Sequence, residues 1–166
     1  MNQENNLQIT LKTGEFYFGG NSTAINTLLG SCVAITMWHP LKQIGGMCHF
    51  LLPFRGANEQ LSYGHFADDA LQLFMKNIKL THTRPEEYEV KLFGGGNMLF
   101  HLQDPKTSKQ IGEINVSVGM DILTSNGFNI KQSDTGGRNY RHVSLQLDNG
   151  DVWVRKEQAS IGRGNL

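Results

Sequence analysis

The sequence predicts an α+β fold with mixed, largely antiparallel sheets and two main helices. Three observations carry that expectation. Short runs rich in β-branched and aromatic residues, such as C-V-A-I-T-M-W at 32–38, occur towards both ends of the chain. Two longer segments, 66–79 and 110–126, carry apolar residues at helical spacing. Glycine, proline and Asp-Asn-Gly signals punctuate the rest. The resulting order is strands, helix, strand, helix, strands.

Taken in order, residues 7–18 (L-Q-I-T-L-K-T-G-E-F-Y-F) read as extended pieces broken at Gly14, and Gly19-Gly20 reads as a turn. Residues 32–38 and 44–52 (I-G-G-M-C-H-F-L-L) are two strands, joined by the four-residue loop His39-Pro40-Leu41-Lys42. Segment 66–79 aligns Phe66, Ala70, Leu73, Phe74 and Ile78 on one helix face, with acids near its start and lysines near its end. Residues 87–93 form a strand that runs into Gly94-Gly95-Gly96, a tight turn close to the candidate site rather than a phosphate loop, since the Lys-Ser/Thr signature is missing. Segment 110–126 aligns Ile111, Ile114, Val118, Ile122 and Leu123, with Gly127 as its stop. Strands at 129–133, 140–147 and 151–156 follow, the last two joined through Asp148-Asn149-Gly150.

The 166 residues suit one domain spanning 1–166, with mobile ends at 1–6 and 161–166. Fifteen basic residues balance fifteen acidic ones, so charge gives no case for nucleic acid or an anionic membrane as partner. No run approaches 18 apolar residues, and the first ten lack a basic stretch followed by an apolar one. The expectation is a cytoplasmic protein without membrane insertion. Two cysteines are too few for a disulfide framework, and in a reducing compartment a thiol is available for chemistry.

Both cysteines lie in the first pair of strands. If Trp38 pairs with Gln43 across the loop, the ladder sets Cys32 directly opposite His49, with Cβ atoms about 5 Å apart on one face. A register shift of two keeps them on one face as diagonal neighbours; a shift of one separates them. A thiol beside an imidazole is the equipment for nucleophilic catalysis. Gly30 and Ser31, just before Cys32, offer backbone donors to a developing oxyanion. Asn26 or Thr27, just upstream, is expected to orient the imidazole or to donate to the oxyanion. The alternative is a small buried cysteine and a hydrogen-bonded core histidine. Cys48 alternates with His49 and should point into the core. The other histidines, His39, His65, His82, His101 and His142, make no metal-ligand spacing with the cysteines, so they read mostly as surface or hydrogen-bonding residues.

These pieces resemble the CheD family of chemoreceptor glutamine deamidases. The resemblance rests on L-L-G-S-C-V-A-I-T at 28–36 and I-G-G-M-C-H-F-L-L-P at 44–53. It continues through S-Y-G-H-F-A-D-D-A-L at 62–71, K-L-F-G-G-G-N-M at 91–98, I-G-E-I-N at 111–115 and D-T-G-G-R at 134–138. It implies an α/β sandwich similar to toxin-type deamidase cores. It also implies a cofactor-free cysteine hydrolase that turns receptor glutamines into glutamates. Cys32 is then the nucleophile and His49 the base and acid. The family's third member is a threonine six residues before the cysteine; that position here holds Asn26, with Thr27 one later. The implied partners are a methyl-accepting chemoreceptor and a chemotaxis phosphatase of the CheC type. A weakly active docking module, or a deamidase of another protein, are the alternatives.

Overall fold

The computed structural model describes residues 6–57, 60–98 and 105–159. The ends expected to be mobile, and His101, lie outside these residues apart from Asn6. The chain builds three layers. One sheet runs β1 (Leu7–Leu11), β3 (Thr23–Leu29), β8 (Asn139–Gln146), β9 (Val152–Gln158). The other runs β2 (Phe16–Gly20), β5 (Ile44–Phe50), β4 (Val33–His39), β6 (Glu89–Gly94), β7 (Ile130–Thr135). Helices α1 (Ala67–Leu80) and α2 (Pro105–Ser125) cover the outer face of the second sheet. Among the named strands only β1/β3 and β6/β7 pair in parallel, so the mixed, largely antiparallel α+β expectation holds.

Strand alternation sorts the core into two clusters. Val33, Ile35, Met37, Cys48 and Phe50 point at the helices and meet Phe74, Ile78 and Leu123. Ala34, Met47 and Phe93 point the other way, onto Leu11, Ile25, Leu29 and Val143 of the first sheet. His49 lies between Cys48 and Phe50 on β5 and therefore faces the layer between the sheets.

Three features depart from the sequence reading. Strand β3 falls on residues that reading left unassigned. Its run T-A-I-N-T-L-L is as β-prone as its neighbours but ends in the Gly-Ser bend before Cys32. The turn expected at Gly19-Gly20 sits at Asn21 and Ser22, both with positive φ, while the glycines end β2. The second helix buries Gly112, Asn115, Gly119 and Leu123, while Ile111 and Ile114 are exposed. Small residues let the helix approach closely: a Cβ on Gly112 would lie 2.6 Å from the Gly95 carbonyl. Asn115 Nδ2–H donates to the Leu51 carbonyl at 2.8 Å and clamps the end of β5.

Candidate active site

The β4/β5 hairpin brings Cys32 and His49 to one end of the second sheet. Its register differs from the expected one by two positions. His39 pairs with Ile44 and Ala34 stands opposite His49, so Cys32, on the bend before β4, is a diagonal neighbour on the same face. The cause lies in the loop. Gln43 takes φ 51° and donates its N–H to the His39 carbonyl at 2.8 Å, which closes a four-residue turn over Pro40–Gln43.

The bend carrying Cys32 is held by the glycine turn. Gly95 N–H donates to the Cys32 carbonyl and Gly96 N–H to the Gly30 carbonyl, each at 2.9 Å. Gly94 has φ 114°, and a Cβ there would sit 2.2 Å from the Cys32 carbonyl oxygen, so no side chain fits. Both carbonyls are thus turned towards the glycine turn. Among the described residues neither the Ser31 nor the Cys32 N–H donates a hydrogen bond. These amides can meet an oxyanion growing beside the thiol. The D-T-G-G-R loop braces the same turn: Gly136 N–H donates to the Gly94 carbonyl and Asn97 N–H to the Gly137 carbonyl. Arg141, buried, pairs with Asp134 at 3.1 Å and supports it from β8.

His49 is 4% exposed, and its two nitrogens have different partners. Thr27 Oγ1 lies 2.7 Å from Nδ1 and 2.8 Å from the Leu11 carbonyl oxygen. A carbonyl only accepts, so the single Thr27 hydroxyl proton goes to Leu11. Nδ1 must then donate to Thr27. That fixes the tautomer: Nδ1 carries the proton, and Nε2 keeps a lone pair for chemistry. Asn26 points to the opposite face of β3, where its Nδ2–H groups donate to Gln8 Oε1 and the Ile9 carbonyl. Of the two candidates for orienting the imidazole, Thr27 touches it and Asn26 does not.

Sequence reasoning missed one side of the site. The turn Lys12–Glu15 folds over the imidazole. Gly14 N–H donates to the His49 carbonyl at 2.8 Å, and Thr13 Oγ1 lies 3.4 Å from Nε2. The Thr13 side chain also favours the ionised form of the Cys32 thiol. Gly14 has φ 84°, and its Cα packs against the His65 ring. His65 in turn takes a hydrogen bond with Ser62 at 2.7 Å between Oγ and Nδ1. The only signal in the sequence for this turn is the T-G-E break.

The electrostatics define a neutral resting pair. Burial lowers the His49 pKa to about 4; the nearby His65 adds to that fall and Glu15 opposes it. Burial raises the Cys32 pKa above its ordinary value, and the Thr13 side chain draws it part of the way back. At neutral pH the site therefore holds a thiol and an unprotonated imidazole. Cys48 is fully buried and its thiol is pushed up to about 12. Among the described residues no group of three His, Cys, Asp or Glu side chains is placed to hold a metal. No helix among them is long and apolar enough to cross a membrane. His39 is a buried hydrogen-bonding residue: its Nδ1 accepts from the Lys42 N–H at 3.2 Å, and its ring lies edge-on to Tyr88.

A thiol, a base with a free lone pair, a hydroxyl that fixes the base and unpaired amides beside the thiol can together carry out acyl transfer through a covalent intermediate. Comparison with known proteins gives the family. The CheD chemotactic sensory transduction family matches residues 51–156, more than half of the chain, downstream of both Cys32 and His49. Similarity to individual proteins extends across both. The "Probable chemoreceptor glutamine deamidase CheD" of Pseudomonas syringae pv. tomato is 36% identical over 93% of this chain and 92% of its own. The "Probable chemoreceptor glutamine deamidase CheD 3" of Dechloromonas aromatica is 42% identical over 92% of this chain and 89% of its own. The chain belongs to the CheD family. Among solved structures, the Bacillus licheniformis hypothetical protein YfiH superposes with a TM-score of 0.48 at 10% identity, over 81% of this chain and 60% of that one.

Proposed function

We propose that this chain is a protein-glutamine deamidase that acts on methyl-accepting chemoreceptors in the cytoplasm, with Cys32 as nucleophile, His49 as base and acid, and Thr27 as the group that orients His49. The observation that carries the reading is the Thr27–Nδ1 contact, which aims an unprotonated Nε2 at the thiol side of the ring. The relatives named as chemoreceptor glutamine deamidases support the substrate class.

The resting pair is neutral, so the thiol proton leaves as the reaction begins. Cys32 loses it to His49 Nε2, and the sulfur attacks the side-chain carboxamide carbon of a glutamine. The amides of Ser31 and Cys32, on the bend that Gly30 opens, take the oxyanion. The imidazolium, steadied through Nδ1 by Thr27, protonates the departing nitrogen and releases ammonia. A thioester on Cys32 remains. Nε2 then deprotonates a water, which hydrolyses the thioester to glutamate and restores the thiol. Each turnover converts one neutral side chain into an anion, which changes the repulsion between neighbouring receptor helices. The residues need no cofactor for any of these steps. A chemotaxis phosphatase of the CheC type is the partner to test at the same mouth.

The test is peptide mass spectrometry of a purified chemoreceptor cytoplasmic fragment incubated with the wild-type protein or with Cys32→Ala. A gain of about one mass unit at particular glutamines, with wild type alone, is the expected result. A gain with both proteins excludes the thiol mechanism. No gain while Cys32 still alkylates readily directs the search to another protein substrate.

A further inference from the structure

Arg141 enters the layer between the sheets beside the site. On β8 it stands opposite Leu29, the last residue of β3, as Val143 stands opposite Thr27. It is 2% exposed, and its side chain reaches from the first sheet to the second. There Nη2–H donates to the Gly136 carbonyl at 2.8 Å, and Nη2 and Nε both meet Asp134 Oδ1, at 3.1 and 3.3 Å. Gly136 passes the hold onward. Its own N–H donates to the Gly94 carbonyl at 2.9 Å, and Gly94 is packed against the Cys32 carbonyl. The next two amides, of Gly95 and Gly96, hold the Cys32 and Gly30 carbonyls. One side chain thus ties the strand pair that carries Thr27 to the turn that shapes the nucleophile's bend.

As a stability device this arrangement is poor. Among the described residues Arg141 Nη1 is buried without a hydrogen-bond partner. Lys156 Nζ, from β9, reaches the same Asp134 Oδ1 at 3.0 Å, so the carboxylate keeps a cation without Arg141. A buried ion pair with an orphaned donor contributes little over an apolar side chain of similar size. An apolar side chain cannot, however, hold the Gly136 carbonyl. The guanidinium is a planar fork that reaches carboxylate and carbonyl together.

We infer that Arg141 is a positioning residue for the reaction: across the two sheets it sets where the Cys32 bend stands relative to Thr27 and the imidazole that Thr27 orients. Thr27 belongs to the first sheet, whereas His49 and the strand that follows Cys32 belong to the second. Their mutual geometry depends on how the sheets are held at this end. Arg141 acts through Gly136 and Gly94, not on the substrate. Misplacing a reacting group by about 1 Å costs roughly a hundredfold in rate.

This inference rests on the nucleophile, base and orienting threonine assigned above, and its test separates the two. Full-length wild type, Arg141→Met and Arg141→Lys are compared. Hydrogen exchange with mass spectrometry follows the peptides that contain Gly95, Gly96 and Gly136, and needs no substrate. Ammonia release from the receptor fragment gives kcat and KM, and a thermal melt checks folding. Arg141→Met is expected to melt close to wild type and to exchange about tenfold faster in those peptides alone. It is also expected to lose about tenfold in kcat at unchanged KM. Arg141→Lys keeps the charge without the fork and is expected to fall between the two. Wild-type kcat and protection in Arg141→Met overturn the inference. So does faster exchange spread over β4, β5 and the helices, which marks a general prop, and so does a loss confined to KM. If Arg141→Met fails to fold, Arg141→Lys decides on the same readings, and wild-type kcat there overturns the inference. Retained ammonia release by Cys32→Ala instead overturns the nucleophile assignment, while the exchange pattern still decides whether Arg141 holds the bend.

Discussion

Cys48 lies on β5 and Cys32 on the bend that leads into the neighbouring β4, and burial raises the pKa of both thiols. Their surroundings then part. Cys48 points at the helices, closed in by the apolar cluster of Ile35, Phe50 and Phe74. Cys32 sits half-buried on a bend, with a buried imidazole on the same face of the hairpin. One residue step along a strand changes the face, and the face decides whether a thiol is packing material or a nucleophile.

The comparison breaks most readily at the nucleophile. Cys32→Ala should abolish ammonia release without lowering the melting temperature. Retained turnover would mean that the Cys32 thiol is not the reacting one. The next effect is on stability against pH. The unfolded chain takes up a proton on its histidine near pH 6.5, whereas the folded site resists it until about 4. The His49 contribution is therefore complete above 6.5. It falls as pH drops through that window by about 3 kcal/mol in total and levels off below 4. Urea midpoints of wild type and His49→Gln across this range should diverge accordingly, and parallel curves would remove the buried neutral imidazole from the account.

Thr27→Val should lower kcat by roughly tenfold to hundredfold, because Nδ1–H and the Leu11 carbonyl both lose their partner and the ring loses its fixed tautomer. Steady-state ammonia release measures it, and a change confined to KM would assign Thr27 to substrate binding instead. Cys48→Ala should cost about 1 kcal/mol of stability by leaving a small void, with activity near wild type. A loss matching that of Cys32→Ala would exchange the roles of the two thiols. Asn26→Ala should be the mildest change, since Asn26 faces Gln8 and Ile9 on the outer side of β3.

The thiol–imidazole geometry was legible because a hairpin converts sequence spacing into spatial spacing. An error of two in register left the face unchanged. Thr27 was legible only as one of two choices. Its strand had not been recognised, and without a strand the alternation that turns Asn26 outward and Thr27 inward cannot be applied. Helix α2 misled for a related reason. Helical spacing of Ile111 and Ile114 suggests a core face, but the helix approaches the sheet so closely that Gly112 meets the Gly95 backbone, Asn115 bonds the Leu51 carbonyl and Gly119 lies against Leu92 and Phe50. Thr13 left no trace beyond a turn signal. Its meeting with His49 joins a turn residue to a strand far along the chain, and nothing in local pattern encodes such a contact.

The turn that bridges the two sheets has a mechanical consequence. It links β1 and β2, and each is the outermost strand of its own sheet. Outer strands, paired on one side alone, open by local fluctuation more readily than the strands they flank. The base of this site is thus anchored to the most easily unzipped part of the molecule. On warming, catalysis should fade at a temperature where the helices and β4 still resist hydrogen exchange, so the protein can lose its chemistry while keeping its shape.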